Sequence, residues 1–393
     1  MQTFYIIGIS DNRNQFLSPE IRNLVSQGKV FSGGKRHHEL VHAYLPEDAV
    51  WIDITVPLDA VFCRYEEHPE IIVFASGDPL FFGFANTVMR KLPSAKIILF
   101  PTFNSLQMLA HRILLPYQEM QTLSLTGRPW DAFDSALIRG DKLIGVLTDR
   151  EKTPATIAAR MLEYGYDNYR MTVGEALGND EEESVRTFSL EEASQSAFRF
   201  PNCLILQRNK VHPRPFGIPE SEFHLLNGRN RMITKMPVRL LTLSMLTLRE
   251  KKSFWDIGFC TGSVSIEAKL QFPELKVTAF EQRPKGKELM ERNSRKFGTP
   301  GITTVMGDFL ETELGGLPAP DAVFIGGHGG KMIEILQKIK EVLLPDGVIV
   351  FNSVSEESKA LFTKGITQIN KKVTQCTRIA VDAFNPIEIM RAE

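Results

Sequence analysis

The sequence predicts an α/β protein of two domains, the second a doubly wound, largely parallel sheet. Three observations carry this. Short apolar runs alternate with helix-length stretches through both halves, the pattern of strands joined by crossover helices. A turn spaced Asp256-x-Gly258-x-x-x-Gly262 follows a buried-strand pattern and leads into a helical one. Such a turn brings backbone close to a nucleoside at the carboxyl edge of a doubly wound sheet. It ordinarily opens its domain, yet here it lies past residue 250, so the residues before it need a fold of their own.

The elements follow in order. In the first half, strands are predicted at Phe4 to Ile9, Val50 to Ile54, Ile71 to Ala75 and Ile97 to Phe100. A second set follows at Thr122 to Leu125, Leu143 to Leu147, Tyr169 to Val173 and Cys203 to Gln207. Acidic Asn179 to Glu183 reads as a solvated loop. Arg208 to Pro219 holds three prolines and several charges, which suit an extended linker. The expected domains are therefore 1–209 and 210–393. Beyond the linker, Val238 to Leu248 predicts a helix leading into the glycine turn. Strands follow at Val277 to Phe280, Ile302 to Val305, Ala322 to Ile325 and Val348 to Phe351, with a helix over Lys331 to Leu344. Two more strands are expected near Val373 to Val381 and Ile387 to Met390.

At 393 residues, the chain is too long for one ordinary core. With 43% apolar residues, 24% charged and a formal net charge of -1, it reads as soluble and globular, with no bulk charge for nucleic acid. Its four dispersed cysteines argue against a disulfide scaffold and for a reducing compartment. The N-terminus enters a strand without a signal-peptide pattern, and no run reaches membrane-spanning length. The expectation is a cytoplasmic protein that engages neither membrane nor nucleic acid.

A pyrophosphate site needs G-x-G-x-x-G, whereas only Gly258 and Gly262 are present and Asp256 ends the strand. A carboxylate there repels pyrophosphate and suits a ligand bearing ammonium or sulfonium, as S-adenosyl-L-methionine does. Glu281 ends the next strand, where a carboxylate accepts hydrogen bonds from ribose hydroxyls. Asp308 follows the third and is placed to accept from an adenine amino group. Read singly, Glu281 also fits a surface residue and Asp308 a helix N-cap; three acids and two glycines in register favour the cofactor.

After the fourth strand the chain reads Phe324-Ile-Gly-Gly-His-Gly-Gly330, not the Asn/Asp-Pro-Pro-aromatic sequence of base methylases. Four glycines around His328 let backbone approach a large flat ligand, and the imidazole is a candidate proton carrier. A flexible loop with an incidental histidine is the plainer alternative. Arg229, Arg231, Lys235 and Arg239 cluster before the turn, either as carboxylate clamps for a polycarboxylate or as a solvated basic face.

Gly217-Ile-Pro-Glu-Ser-Glu-Phe223, Met232-Ile-Thr-Lys235, Trp255-Asp-Ile-Gly258 and Phe324-Ile-Gly-Gly327 occur as a set. With them the second half resembles the decarboxylating methyltransferase component of precorrin-6Y methylation in vitamin B12 biosynthesis. Ala75-Ser-Gly-Asp-Pro-Leu-Phe-Phe-Gly83 resembles the Gly-Asp-Pro loop of tetrapyrrole methylases, and Phe31 to His38 a segment of the precorrin-6Y branch. Thr126-Gly-Arg128, Val146 to Pro154 and Val173 to Gly178 complete the pattern, so that the resemblance covers nearly the whole chain.

The resemblance implies an N-terminal two-lobed tetrapyrrole methylase fold followed by a Rossmann-like class I methyltransferase domain, each with a site for S-adenosyl-L-methionine. Gly77, Asp78 and Pro79 would form the first cofactor loop, although Asp78 and Pro79 also read as a helix N-cap and first turn. The implied reaction is methylation of precorrin-6Y, or its cobalt counterpart, at C-5 by the first half. The second half would methylate C-15 and decarboxylate the ring C acetate. A homo-oligomer is implied as well. The alternative is a two-domain methyltransferase acting on another tetrapyrrole or small molecule. His328, Arg231 and Lys235 are the candidates for proton handling and carboxylate clamping. His37, His38 and His42 read as a substrate-side or structural segment, with no metal expected. Two departures from the family pattern stand out. Gly8-Ile-Ser-Asp-Asn-Arg13 lacks the later glycines of G-x-G-x-G, and Cys260 replaces a middle glycine, where its side chain is expected to crowd the cofactor.

Overall fold

The computed structural model describes residues 2–214, 216–228, 232–382 and 386–393. They divide into two compact units, one of residues up to 128 with 142–159 and 169–209, the other of 129–141, 160–168 and 210–393. The segments 129–141 and 160–168 thus side with the later unit, through bonds such as Ser135 Oγ to the Pro273 carbonyl (2.8 Å).

The first unit has two sheets. In one, β1 (Thr3–Ile9), β2 (Val30–Gly33), β3 (Val50–Asp53), β4 (Glu70–Ser76) and β5 (Lys96–Phe100) lie all parallel in the order β3-β2-β4-β1-β5. Central strands β1 and β4 bury both faces. Phe4, Ile6, Ile71 and Val73 pack on one side, Ile7, Ile72 and Phe74 on the other, which is why these strands read as nearly unbroken apolar runs. The second sheet holds β6 (Gln121–Ser124), β7 (Leu143–Leu147), β8 (Tyr169–Glu175), β9 (Ser184–Phe188) and β10 (Asn202–Arg208) in the order β6-β7-β10-β8-β9. Only β6 and β7 pair in parallel; the other three pairings are antiparallel. The expectation of largely parallel sheets fails here, because no crossover helix separates β8 from β9 and β10 returns between β7 and β8.

The second unit carries one sheet of β11 (Ser253–Ile257), β12 (Lys276–Glu281), β13 (Ile302–Met306), β14 (Ala322–Ile325), β15 (Val348–Ser353), β16 (Val373–Ile379) and β17 (Ile387–Ala392). The order is β13-β12-β11-β14-β15-β17-β16, with β11 to β15 parallel and β17 antiparallel to both of its neighbours. Both faces are covered, by one apolar cluster around Trp255, Val323 and Leu336 and another around Phe254, Phe324 and Leu246. The chain runs outward from β11 to one side and from β14 to the other. A crevice therefore opens between their carboxyl ends, the place where doubly wound sheets bind ligands.

Candidate functional sites

The glycine turn after β11 is set by backbone conformation. Gly258 has φ +81°, and a Cβ there would sit 2.9 Å from the Gly327 nitrogen, so the turn and the loop after β14 meet backbone to backbone. Gly262, φ +76°, caps the helix Ser263–Gln271. Glu281 is 2% exposed at the end of β12. It accepts the Cys260 N–H on Oε2 (2.8 Å) and the Arg283 N–H on Oε1 (2.9 Å), and the Arg283 guanidinium lies beside it (3.3 Å). Gly258, Glu281, Asp308 and His328 all line a cleft of about 160 Å³ at the strand-order reversal. Asp308 accepts from the Leu310 N–H and from Lys331 Nζ, each at 2.9 Å, and the Lys331 bond holds its carboxyl below the usual range.

His328 is half-buried, its ring edge-on to Phe351 at 5.8 Å, and its Nδ1 accepts the Gly330 N–H (3.2 Å). In the neutral ring that places the proton on Nε2. Burial lowers its pKa, while the Glu357 charge works in the opposite sense. Arg283, Lys331 and Gly307 join this cleft without a signal in the sequence reading. Gly307 and Arg283 stand next to and two residues from a carboxylate that the reading named, and that nearness is the signal that would have found them; Lys331 reaches Asp308 only through the fold, 23 residues on.

Asp256 stands apart from the cleft. It is 1% exposed under the helix that follows the turn, with Oδ2 accepting from Ser265 Oγ (2.6 Å) and Oδ1 without a partner. Burial pushes its pKa up to about 7. A carboxyl whose folded pKa exceeds its unfolded value stays protonated in the fold while the unfolded chain ionises. Stability from this group is therefore lost as pH rises from about 4 to about 7. Asp256→Asn is expected to remove that slope. In urea unfolding, the variant should gain on the wild type between pH 5 and pH 8, and parallel curves would show that Asp256 is ionised throughout.

Cys260 has φ +51°, the left-handed conformation that explains a glycine preference there. Its side chain is not among those lining the cleft, so the departure acts on backbone strain. We expect Cys260→Gly to stabilise the unit by about 0.5–1 kcal/mol, relief of strain being partly offset by the entropy of an unfolded glycine. A lower urea midpoint at unchanged m-value would show instead that thiol packing dominates.

The basic cluster is not one surface. Arg239 is fully buried and bonded to Glu267 (3.3 Å), the Thr234 carbonyl (2.8 Å) and the Ile218 carbonyl, so it is a structural ion pair and no clamp. Lys235 is half-buried and immediately precedes the helix Met236–Leu246. Arg229 and Arg231 lie outside the described residues.

In the first unit a cavity of about 460 Å³ lies at the carboxyl ends of β1, β4 and β7. A Cβ on Gly8 would lie 1.9 Å from the Gly77 carbonyl oxygen, so β1 and the loop after β4 are in backbone contact. Gly77 lines this cavity; Asp78 and Pro79 do not. Asp78 Oδ1 accepts the Leu80 N–H (2.8 Å), and the next helix begins only at Phe84 behind Gly83. The helix-start reading of Asp78 and Pro79 is thus corrected, since a turn through Phe82 at φ +54° separates them from the helix. The altered loop after β1 brings Asp11 to the wall, where it pairs with Arg36 (2.7 Å). Ser76 Oγ meets Arg36 (3.0 Å) and His37 Nε2 (2.9 Å). Burial lowers the His37 pKa to about 4, keeping the ring neutral. Among the described residues no group of three or more His, Cys, Asp or Glu is placed to hold a metal ion.

Two family models match the chain: tetrapyrrole (corrin/porphyrin) methylases over residues 3–194 and the precorrin methyltransferase domain over 227–392. A precorrin-6Y C(5,15)-methyltransferase (decarboxylating) from Sinorhizobium sp is 32% identical over 91% of this chain and 86% of its own length. The chain belongs to the decarboxylating precorrin-6Y C(5,15)-methyltransferase family. A cobalt-precorrin-6B C(15)-methyltransferase (decarboxylating) from Salmonella typhimurium is 34% identical over 41% of this chain and 83% of its own. The crystal structure of a precorrin-6y C5,15-methyltransferase from Geobacter metallireducens GS-15 matches 46% of this chain and 99% of its own at 33% identity, with a TM-score of 0.43. In this precorrin-6Y methyltransferase family member no described helix is long and apolar enough to cross a membrane.

Proposed function

We propose that the chain methylates precorrin-6Y, or its cobalt-containing counterpart, at C-5 and C-15. Carbon dioxide is lost from the ring C acetate, as a step of cobalamin biosynthesis in the cytoplasm, and the protein works as a homo-oligomer. Residues 1–209 would act at C-5 and 210–393 at C-15 and in the decarboxylation, each with its own S-adenosyl-L-methionine. The observation that carries this reading is the convergence of Gly258, Glu281, Asp308 and His328 on one crevice at the strand-order reversal. The first unit's separate cavity beside Gly8 and Gly77 supports a second site.

The cofactor supplies a methyl group already activated on sulfonium, so the protein's task is alignment and exclusion of water. Glu281 and Asp308 would hold the ribose and adenine of the cofactor, and the contact of Gly258 with Gly327 brings backbone to the cleft. Asp256 acts from beneath, holding the helix after the turn through Ser265. His328 would handle the proton at C-15 through its Nε2–H, with Arg231 and Lys235 as clamps for substrate carboxylates.

The full chain, given S-adenosyl-L-methionine and precorrin-6Y with or without cobalt, should yield a product heavier by two methyl groups and lighter by one carbon dioxide. Neither change with either form would overturn the proposal. His328→Ala should slow the C-15 step by about 10²–10⁴-fold, the range of general acid–base catalysis, with cofactor affinity kept. An unchanged C-15 rate removes His328 from the mechanism.

A further inference from the structure

The mouth of the first cavity leaves large apolar rings in solvent. Phe82 is 40% exposed, Phe103 56% and Phe200 54%, and all three line the same opening. Isolated exposed hydrophobics need no explanation, but rings gathered on one concave rim mark a binding surface. Two of them carry a cation. The Arg128 guanidinium lies 5.2 Å over the Phe82 ring and that of Arg150 5.4 Å over Phe200. Both arginines are exposed, and neither pairs with a carboxylate among the described residues.

Their loops are fixed to one another. Thr126 Oγ1 donates to the Thr148 carbonyl (3.0 Å), and the Gly127 N–H donates to Asp149 Oδ2 (3.0 Å). The Asp149 Oδ1 meanwhile accepts the N–H groups of Glu151 (2.9 Å) and Lys152 (2.6 Å). One carboxylate therefore clips the loop bearing Arg128 to the loop bearing Arg150. A guanidinium resting on an aromatic face on such a loop is held in place in advance and keeps its planar donor fork for a carboxylate.

A cavity of about 460 Å³ holds one small ligand. A macrocycle that reacts with that ligand has to lie across the opening. What the rim offers is apolar ring surface with unpaired cations at its margin, complementary to a flat, largely apolar molecule with carboxylates around its edge.

We propose that Arg128 and Arg150, seated on Phe82 and Phe200, bind peripheral carboxylates of the tetrapyrrole acceptor for the C-5 methylation, while the remaining faces of Phe82, Phe103 and Phe200 take its macrocycle. This assignment rests on the tetrapyrrole reading above. It makes the two arginines specificity residues, since a guanidinium–carboxylate pair selects for acid side chains at a set spacing and rejects esters or amides.

The test uses the full chain with isotopically labelled S-adenosyl-L-methionine, reading the C-5 and C-15 methyl groups separately by NMR. Arg128→Gln and Arg150→Gln are each expected to raise the acceptor KM of the C-5 step about 10–100-fold, the worth of a charged hydrogen bond. The affinity for S-adenosyl-L-methionine, measured by calorimetry, should stay the same, which also reports that the variant is folded. Arg128→Glu should be worse than Arg128→Gln, and Arg128→Lys should restore part of the loss, an order that a merely structural role does not produce. Acceptor KM values within twofold of wild type in both Gln variants overturn the assignment and leave the tetrapyrrole reading standing. Loss of cofactor affinity with an unchanged acceptor KM overturns it too, by moving the arginines to the cofactor. If the wild type itself adds no methyl group to precorrin-6Y, the reading beneath the assignment fails, and that result is seen before any variant is made.

Discussion

Glu267→Ala is expected to destabilise the second unit by about 3–5 kcal/mol, the cost of removing one partner from a buried ion pair. Glu267 and Arg239 are both fully buried. The carboxylate accepts the Gly217 N–H (2.9 Å), the Ile218 N–H (3.0 Å) and Arg239 Nε (3.3 Å). Arg239 in turn holds the Thr234 and Ile218 carbonyls and lies over the Phe223 ring at 5.2 Å. Alanine therefore leaves a buried guanidinium without its counter-charge and the buried Ile218 N–H without an acceptor, together with the half-buried Gly217 N–H, and each buried unpaired donor adds its own desolvation cost. Glu267→Gln keeps one acceptor and the side-chain shape, so it should cost less than alanine while still forfeiting the charge. Urea unfolding followed by tryptophan fluorescence suits the measurement, because Trp255 sits in this unit's core. A loss below about 1 kcal/mol for the alanine variant would mean that water reaches the pair.

This cluster also shows where the sequence was readable. The run from Gly217 to Phe223 and the basic residues after it were visible as motifs, and the strand and helix pattern of the second unit was legible because parallel strands buried on both faces are nearly all apolar. What Arg239 does was not visible. A basic residue four positions from Lys235 reads as a second clamp until the fold turns it inward onto Glu267, a partner remote in sequence. Strand β2 was missed because four residues ending in Gly33, with Gly34 directly after them, look like a turn, and only pairing with β3 and β4 makes them a strand. Strand β9 was missed for a related reason, since its exposed edge position leaves Ser184, Arg186 and Thr187 without an apolar alternation to detect. In the cleft, residues at strand ends were legible by register: Gly258, Glu281 and Asp308 each follow a recognisable strand. Asp256, the next-to-last residue of β11, instead points beneath the turn, because which strand-end side chain the next helix covers is fixed by packing, which spacing does not report.

Glu281→Ala is expected to weaken S-adenosyl-L-methionine binding at the second site by about 10–100-fold, the effect of losing one charged hydrogen bond of about 1.5–3 kcal/mol. The carboxylate is buried at the cleft wall. Each oxygen takes one backbone N–H, from Cys260 and Arg283, and a carboxylate oxygen has two acceptor positions. The Arg283 guanidinium reaches the second position on each oxygen through long contacts of 3.4 and 3.3 Å, so a ribose hydroxyl would displace that half-exposed side chain and leave the two backbone bonds that fix the turn. The chain also clears space for this side chain, since a Cβ on Gly286 would meet Glu281 Cγ at 2.6 Å. Alanine removes the ligand contact and leaves the Cys260 N–H unsatisfied at the left-handed residue of the turn, so two losses act in the same direction. Glu281→Gln separates them, since it retains an acceptor for the turn and loses the charge, and it should fall between wild type and alanine. Titration calorimetry of the full chain should show one strong site remaining in Glu281→Ala. Two sites of undiminished affinity would remove Glu281 from cofactor binding. The chemistry should split in the same way: with a separate cofactor in each unit, the alanine variant would still place a methyl at C-5, and its product would lack the C-15 methyl and keep the acetate carboxyl.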